Sequence, residues 1–138
     1  MILHAFTDGA SRGNPGDSGI GVVVREECGT VVLSLNGYLG RATNNVAEYT
    51  ALLALLHRLK QIPCTRLIVH SDSELMVRQL NGEYRVKDAT LKKYHEKVQK
   101  LIRNAPCAIE LKHIPRGENA DADRLANAGI DAKRKIRV

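Results

Sequence analysis

Five acids occupy positions from which carboxylate chemistry could be done. Asp8 closes an apolar run (Ile2, Leu3, Ala5, Phe6) and is followed at once by Gly9. Glu48 lies in a helical repeat, Asp72 follows the apolar segment Arg66–Ser71, and Asp121 and Asp123 open a final helical stretch. A charge at the exit of a buried strand is costly unless something positive meets it. Several such acids converging with no Lys or His cluster beside them repel one another and ask for divalent cations. All-oxygen ligands select Mg²⁺ or Mn²⁺ over zinc. Two such ions suit in-line attack of water on a phosphodiester, one activating the water and one stabilising the leaving oxygen. Each acid also has a plainer use. Asp8-Gly9 fits a turn, Asn45 and Glu48 have capping-box spacing, Asp72 can cap the helix after it, and Asp121 or Asp123 suits a helix start. Only convergence in space separates the two readings.

The elements that must bring the acids together follow from periodicity. Met1–Ala10 reads as a buried strand and Gly9–Gly16 as a turn-rich segment. Gly19–Arg25 and Thr30–Leu39 read as two further strands of an antiparallel meander. Thr43–Leu59 changes to a helical period, with Val46, Tyr49, Leu52, Leu53, Leu56 and Leu59 on one face. Glu48 shares its phase with Leu52, Leu55 and Leu59, which turns it toward the body of the protein. Then come a strand at Arg66–Ser71, helices at Glu74–Asn81 and Leu91–Arg103, a strand at Cys107–Ile114, a loop at Pro115–Glu118 and a helix at Asp121–Lys133. This order predicts an α/β fold: one five-stranded mixed sheet, order 3-2-1-4-5, with helices on both faces. Asp8 and Asp72 then leave adjacent parallel strands side by side, where open α/β sheets place their chemistry.

The chain has 138 residues, 43% of them hydrophobic, which suits a single domain over 1–138. Only 4% are aromatic and Trp is absent, which argues against an aromatic platform for stacked bases. A net charge of +6 suits a polyanionic partner. Part of that excess lies in a basic tail over 132–138, expected to be mobile. Cys28, Cys64 and Cys107 show no C-x-x-C spacing, so neither a disulfide framework nor zinc is indicated, although one bridge remains open. The absence of a long apolar run predicts no membrane partner and a cytoplasmic location. The five histidines form no ligand pattern, and His70 and His113, on strands, read as hydrogen-bonded core residues.

Four segments in order, Thr7-Asp8-Gly9-Ala10-Ser11-Arg12-Gly13-Asn14-Pro15-Gly16, Thr43-Asn44-Asn45-Val46-Ala47-Glu48, Ser71-Asp72-Ser73 and Asn119-Ala120-Asp121-Ala122-Asp123-Arg124-Leu125-Ala126, resemble the successive motifs of type 1 ribonuclease H. The resemblance implies a ribonuclease H-like fold and hydrolysis of the RNA strand of an RNA/DNA hybrid by a monomer, leaving 5′-phosphate and 3′-hydroxyl ends. It implies that Asp8, Glu48, Asp72 and Asp123 bind two Mg²⁺ (or Mn²⁺) ions when substrate is present. It prefers Asp123 to Asp121 because the family's last aspartate stands just before a Leu-Ala. Asn14, Thr43, Asn44 and Asn45 match positions that contact the hybrid, and backbone groups around Gly9 and Ser11 are expected to bond 2′-hydroxyls in its minor groove. Two departures stand out. The loop before the last aspartate lacks the histidine of many relatives and offers Arg116 instead, whose guanidinium can act electrostatically but cannot shuttle protons at neutral pH. The basic protrusion of some relatives is missing, leaving Arg85 and Lys87 as the nearest substitutes. The rival readings are a related nuclease that also cuts double-stranded RNA, and a catalytically silent nucleic-acid-binding module.

Overall fold

A computed structural model describes residues 1–136. Five strands, β1 (Ile2–Gly13), β2 (Gly16–Glu26), β3 (Val31–Ala42), β4 (Arg66–Ser71) and β5 (Ala108–His113), form one sheet in the order β3-β2-β1-β4-β5. Four helices complete the fold: α1 (Asn44–Leu59), α2 (Glu74–Leu80), α3 (Ala89–Arg103) and α4 (Ala120–Ala132). The first three strands pair antiparallel, while β4 lies parallel to both β1 and β5. This is the predicted topology, and it follows from the connections. Short turns join β1, β2 and β3, whereas β4 and β5 are each reached by way of helices, as parallel pairing requires.

The core is aliphatic. Leu3 and Ala5 of β1, Val22 and Val24 of β2 and Leu67 and Val69 of β4 are fully enclosed together with Leu52, Leu55 and Leu59 of α1. Each enclosed leucine contributes about 1.5–3 kcal/mol over its exposed state. The predicted single apolar stripe on α1 understates its burial. Every residue from Ala47 to Leu56 is buried, because α1 packs on β1 and β2 and is covered in turn by α3. Its buried phenol is satisfied, Tyr49 donating to Gln79 Oε1 at 2.6 Å.

The opposite face of the sheet carries α4, which approaches the strands at unusually short range. A methyl group built on Gly21 of β2 would lie 2.2 Å from the Ala122 carbonyl oxygen, and one on Gly129 of α4 would lie 2.5 Å from that of Gly37. Backbone therefore lies on backbone, with Ala122 and Ala126 filling what little space remains.

Four expectations need correction. The segment Gly9–Gly16 is not one long turn: β1 runs on to Gly13 and pairs with β2 as far as Gly16, so only Asn14 and Pro15 turn the chain. The capping box is not made. Thr43 caps α1, its Oγ1 accepting from the Val46 amide at 3.2 Å, and this leaves Glu48 free for another partner. The basic tail is not loose through Ile136. Tyr38 donates its amide to the Arg134 carbonyl at 2.9 Å, the Ile136 amide returns to the Tyr38 carbonyl, and Lys135 lies over the Tyr38 ring. The last two positions of that tail lie outside the described residues. His113 is exposed at the end of edge strand β5, not in the core, whereas His70 is half-buried, with Nε2 3.1 Å from His4 Nδ1 and its ring stacked on Phe6.

The glycine floor under α4 gives a direct test. Gly21→Ala is expected to destabilise the protein by about 2–3 kcal/mol in urea titration, since helix backbone must retreat from the new methyl. Gly117→Ala, with nothing within 4 Å, should change stability by less than about 0.5 kcal/mol.

Candidate active site

The last rung between β1 and β4 joins Thr7 to Ser71, so one further step along both strands brings Asp8 and Asp72 side by side. From this point β1 continues alone against β2, and the Gly9 amide no longer faces a β4 partner. Glu48 takes that amide, its Oε1 accepting at 2.7 Å. The contact depends on Gly9 lacking a side chain, since a methyl there would lie 2.4 Å from the Glu48 backbone nitrogen. Asp72 is not the cap of α2. Ser73 fills that role, with Oγ accepting from Met76, so the Asp72 carboxylate is left to face the cleft.

Carboxylate oxygens of Asp8, Glu48 and Asp72 all lie within 4.8 Å of one another. Asp8 and Glu48 are only 5% and 3% exposed, so solvent screens their repulsion poorly. The fourth acid, Asp123, enters from the first turn of α4 and lines the same cleft. Burial first, then the charge of Asp72 and the contact with Asp123, push the Asp8 carboxyl up to about 8, while Arg116 pulls the other way. Glu48 is raised well above the usual carboxylate range by burial, Asp8 and Asp72, against the lowering effect of the Gly9 amide. The oxygen-only donor set, and charges too close to coexist without a counter-ion, fit a hard divalent cation held by these acids.

Around the acids is an open cleft of about 430 Å³ lined by Gly9, Ser11, Arg12, Asn44, Arg116 and Asn127 among others. Of the six residues expected to contact substrate, Gly9, Ser11 and Asn44 line it. Asn14 stands behind Asn44, its Oδ1 accepting the Asn44 amide at 3.0 Å. Thr43 is committed to capping α1, and Asn45 is exposed on the first turn of that helix. The Gly9 amide is already taken by Glu48 and is not free for a 2′-hydroxyl. Asp121 turns away to Arg25 of β2 and to Arg124.

Two amides that sequence reasoning did not single out hold the acids in place. Asn119 is 1% exposed. Its Nδ2 donates to the Thr7 carbonyl at 2.8 Å and lies 3.4 Å from Asp72 Oδ2, tying the last loop to the end of β1. Asn127, one turn after Asp123, donates to the Asp123 carbonyl at 3.1 Å and lies near Arg12, which pairs with Asp131. Asn119 lies within the motif already recognised, and the one local signal for Asn127 is its i, i+4 spacing to Asp123.

A five-stranded 3-2-1-4-5 sheet with acids gathered where β1 leaves β4 can be compared with known proteins. A family model described as "Reverse transcriptase-like" matches residues 6–129. A protein named Ribonuclease H from Halorhodospira halophila is 32% identical over 151 aligned positions, covering 94% of this chain and 93% of that one. A bifunctional protein of Mycobacterium tuberculosis is 42% identical over 133 residues, and the chain spans only 36% of its length. Among solved structures, LC11-RNase H1 in complex with an RNA/DNA hybrid superposes with a TM-score of 0.90 at 41% identity, over 94% of this chain and 97% of the other. The chain belongs to the ribonuclease H family.

The raised acids predict how the metal-free protein responds to pH. Between the ordinary carboxylate value of 3.8 and about 8, the folded protein keeps a proton on Asp8 that the unfolded chain has released. Stability from this source is complete at low pH and is lost as pH rises toward 8. Melting of metal-free protein should therefore fall by several degrees between roughly pH 5 and 8, and Asp8→Asn should flatten that slope. Adding Mg²⁺ at the upper pH should restore the loss for the native protein and not for the variant.

Proposed function

We propose that this protein is an endoribonuclease that hydrolyses the RNA strand of RNA/DNA hybrids, leaving 5′-phosphate and 3′-hydroxyl ends. The observation that carries the reading is the gathering of Asp8, Glu48, Asp72 and Asp123 in one cleft, from four separate elements of a ribonuclease H fold. A pure binding module gains nothing from concentrating negative charge where a phosphate must lie. The relative solved with an RNA/DNA hybrid supports the substrate class.

In this reading Asp8, Glu48, Asp72 and Asp123 hold two divalent ions, Mg²⁺ or Mn²⁺, when the hybrid is bound. Once bound, the ions supply a lowered pKa for the attacking water and charge stabilisation at the leaving 3′ oxygen. The chain's own groups do the rest. Gly9 keeps Glu48 turned inward, and Asn119 steadies Asp72, so the carboxylates keep their places as charge changes around them. Arg116 sits in a short 3-10 turn after β5 and faces the cleft, where a permanent cation offsets negative charge developing on the phosphate. Asn44 offers a short polar contact to the RNA minor groove, with Asn14 fixing its backbone, and backbone groups near Ser11 lie beside it in the cleft. Arg85 and Lys87, exposed beyond α2, give the hybrid backbone a basic contact, so affinity falls as salt rises.

Labelled RNA/DNA hybrid, RNA duplex and DNA duplex incubated with Mg²⁺ test the assignment. Internal cutting confined to the RNA of the hybrid is expected. Equal cutting of the RNA duplex, or binding without cutting, would overturn it. Asp8→Asn should lower the rate by on the order of 10²–10³-fold with the fold intact by circular dichroism. Arg116→Ala should lower kcat by roughly tenfold or more with little change in hybrid binding, and Arg116→Lys should recover part of the loss.

A further inference from the structure

Cys64 and Cys107 are far apart in sequence, 43 residues, but their sulfurs are 2.8 Å apart. That is well inside the ~3.5–4.0 Å at which even smaller non-bonded carbon atoms pack. Both cysteines are free, and each follows a proline, Pro63 and Pro106, at the entrance to one of two neighbouring parallel strands. The β4–β5 ladder begins at Arg66 and Ala108, and the Ala108 amide donates to the Thr65 carbonyl at 3.2 Å. The two backbones are thus fixed side by side before the sulfurs meet. Neither cysteine belongs to the cleft, which lies at the other end of β4 beyond Ser71, about 20 Å along a six-residue strand.

We infer that Cys64 and Cys107 are an oxidation site, a thiol pair that closes to an intramolecular disulfide on exchange with a small-molecule disulfide and staples the start of β4 to the start of β5. Burial first, and then the neighbouring Cys64, push the Cys107 thiol up to about 12, so attack on the external disulfide falls to Cys64. The Cys64 thiolate forms a bond to one reagent sulfur and expels the other as a thiolate. Cys107 then attacks the Cys64 sulfur, its proton passing to solvent, and the second reagent thiolate leaves. The protein pair loses two electrons, and the reagent is reduced to two thiols. The staple closes the excursion through β4, α2 and α3, which restricts the unfolded chain and leaves the acids at the far end undisturbed.

The full chain treated with oxidised glutathione tests this. Thiol titration under denaturing conditions should fall from three thiols to one, or to none where the exposed Cys28 takes up glutathione, and non-reducing peptide mapping should join the Cys64 peptide to that of Cys107. The melting temperature should rise by on the order of 10 °C and return on addition of reductant. Cys28→Ser should behave as the native chain does, whereas Cys64→Ala and Cys107→Ala should each lose the shift. Because mapping uses the unmutated protein, the result does not depend on how the variants fold. Three remaining thiols, stable glutathione adducts on Cys64 or Cys107, or a bridge involving Cys28 would overturn the inference.

Discussion

Carboxylates within 4.8 Å of one another, two of them almost wholly buried, repel each other strongly, and the surrounding structure exists to hold them there regardless. Each acid comes from a different element, and three of the four are restrained by a donor that is not a side-chain cation. Glu48 accepts a backbone amide, Asp72 lies beside a carboxamide, and Asp123 is held through its own helix by Asn127. Arg116 faces the same cleft and offsets part of the charge on Asp8, but the groups that fix the other three acids are neutral. Neutral donors fix position while leaving most of the negative charge uncompensated, so the site retains affinity for a divalent ion and for what that ion brings.

Holding the cluster requires that helices come closer to the sheet than side chains normally allow. The start of α1 rests on Gly9, and α4 rests on Gly19 and Gly21. In each case the missing side chain sits under the helix that delivers an acid, Glu48 from α1 and Asp123 from α4. Ordinary helix-on-sheet packing is mediated by side chains and would draw these carboxylates back from Asp8. The aliphatic core beneath α1 supplies the stability against which that geometry is maintained, which accounts for a helix buried over ten consecutive residues, Ala47 to Leu56.

Much of this was legible in the chain itself. Alternation and helical period placed every element, and the strand order followed from which connections are long enough to cross. Asp8 and Asp72 were readable as neighbours because the β1–β4 register is set by apolar residues on both strands. What the sequence concealed depended on contacts across the fold. Asn45 and Glu48 have the spacing of a capping box, yet Thr43 caps the helix and Glu48 turns to Gly9, a partner 39 residues away. Gly9, Gly13, Asn14 and Gly16 read as turn formers, which ends β1 too early. In the structure those glycines serve close approach and a two-residue turn, and pairing with β2 carries the strand onward. The i, i+4 spacing of Asn127 to Asp123 is local, but its approach to Arg12, 115 residues away, is a contact across the fold.

The two ends of β4 divide the demands on the protein. Beyond its end, Asp72 and Ser73 line a cleft where raised carboxyl groups and mutual repulsion work against stability in the absence of metal. At its start, Arg66 pairs with Glu110 across the strands, Thr65 bonds the chain's first residue, and two prolines feed the strands into register. Stabilising contacts placed there act on the strand without touching the acids. A strand about 20 Å long separates those contacts from the acids by more than a Debye length, so they support the strand without altering the field in the cleft. The polarity of β4 is therefore part of the way the fold tolerates its own active centre.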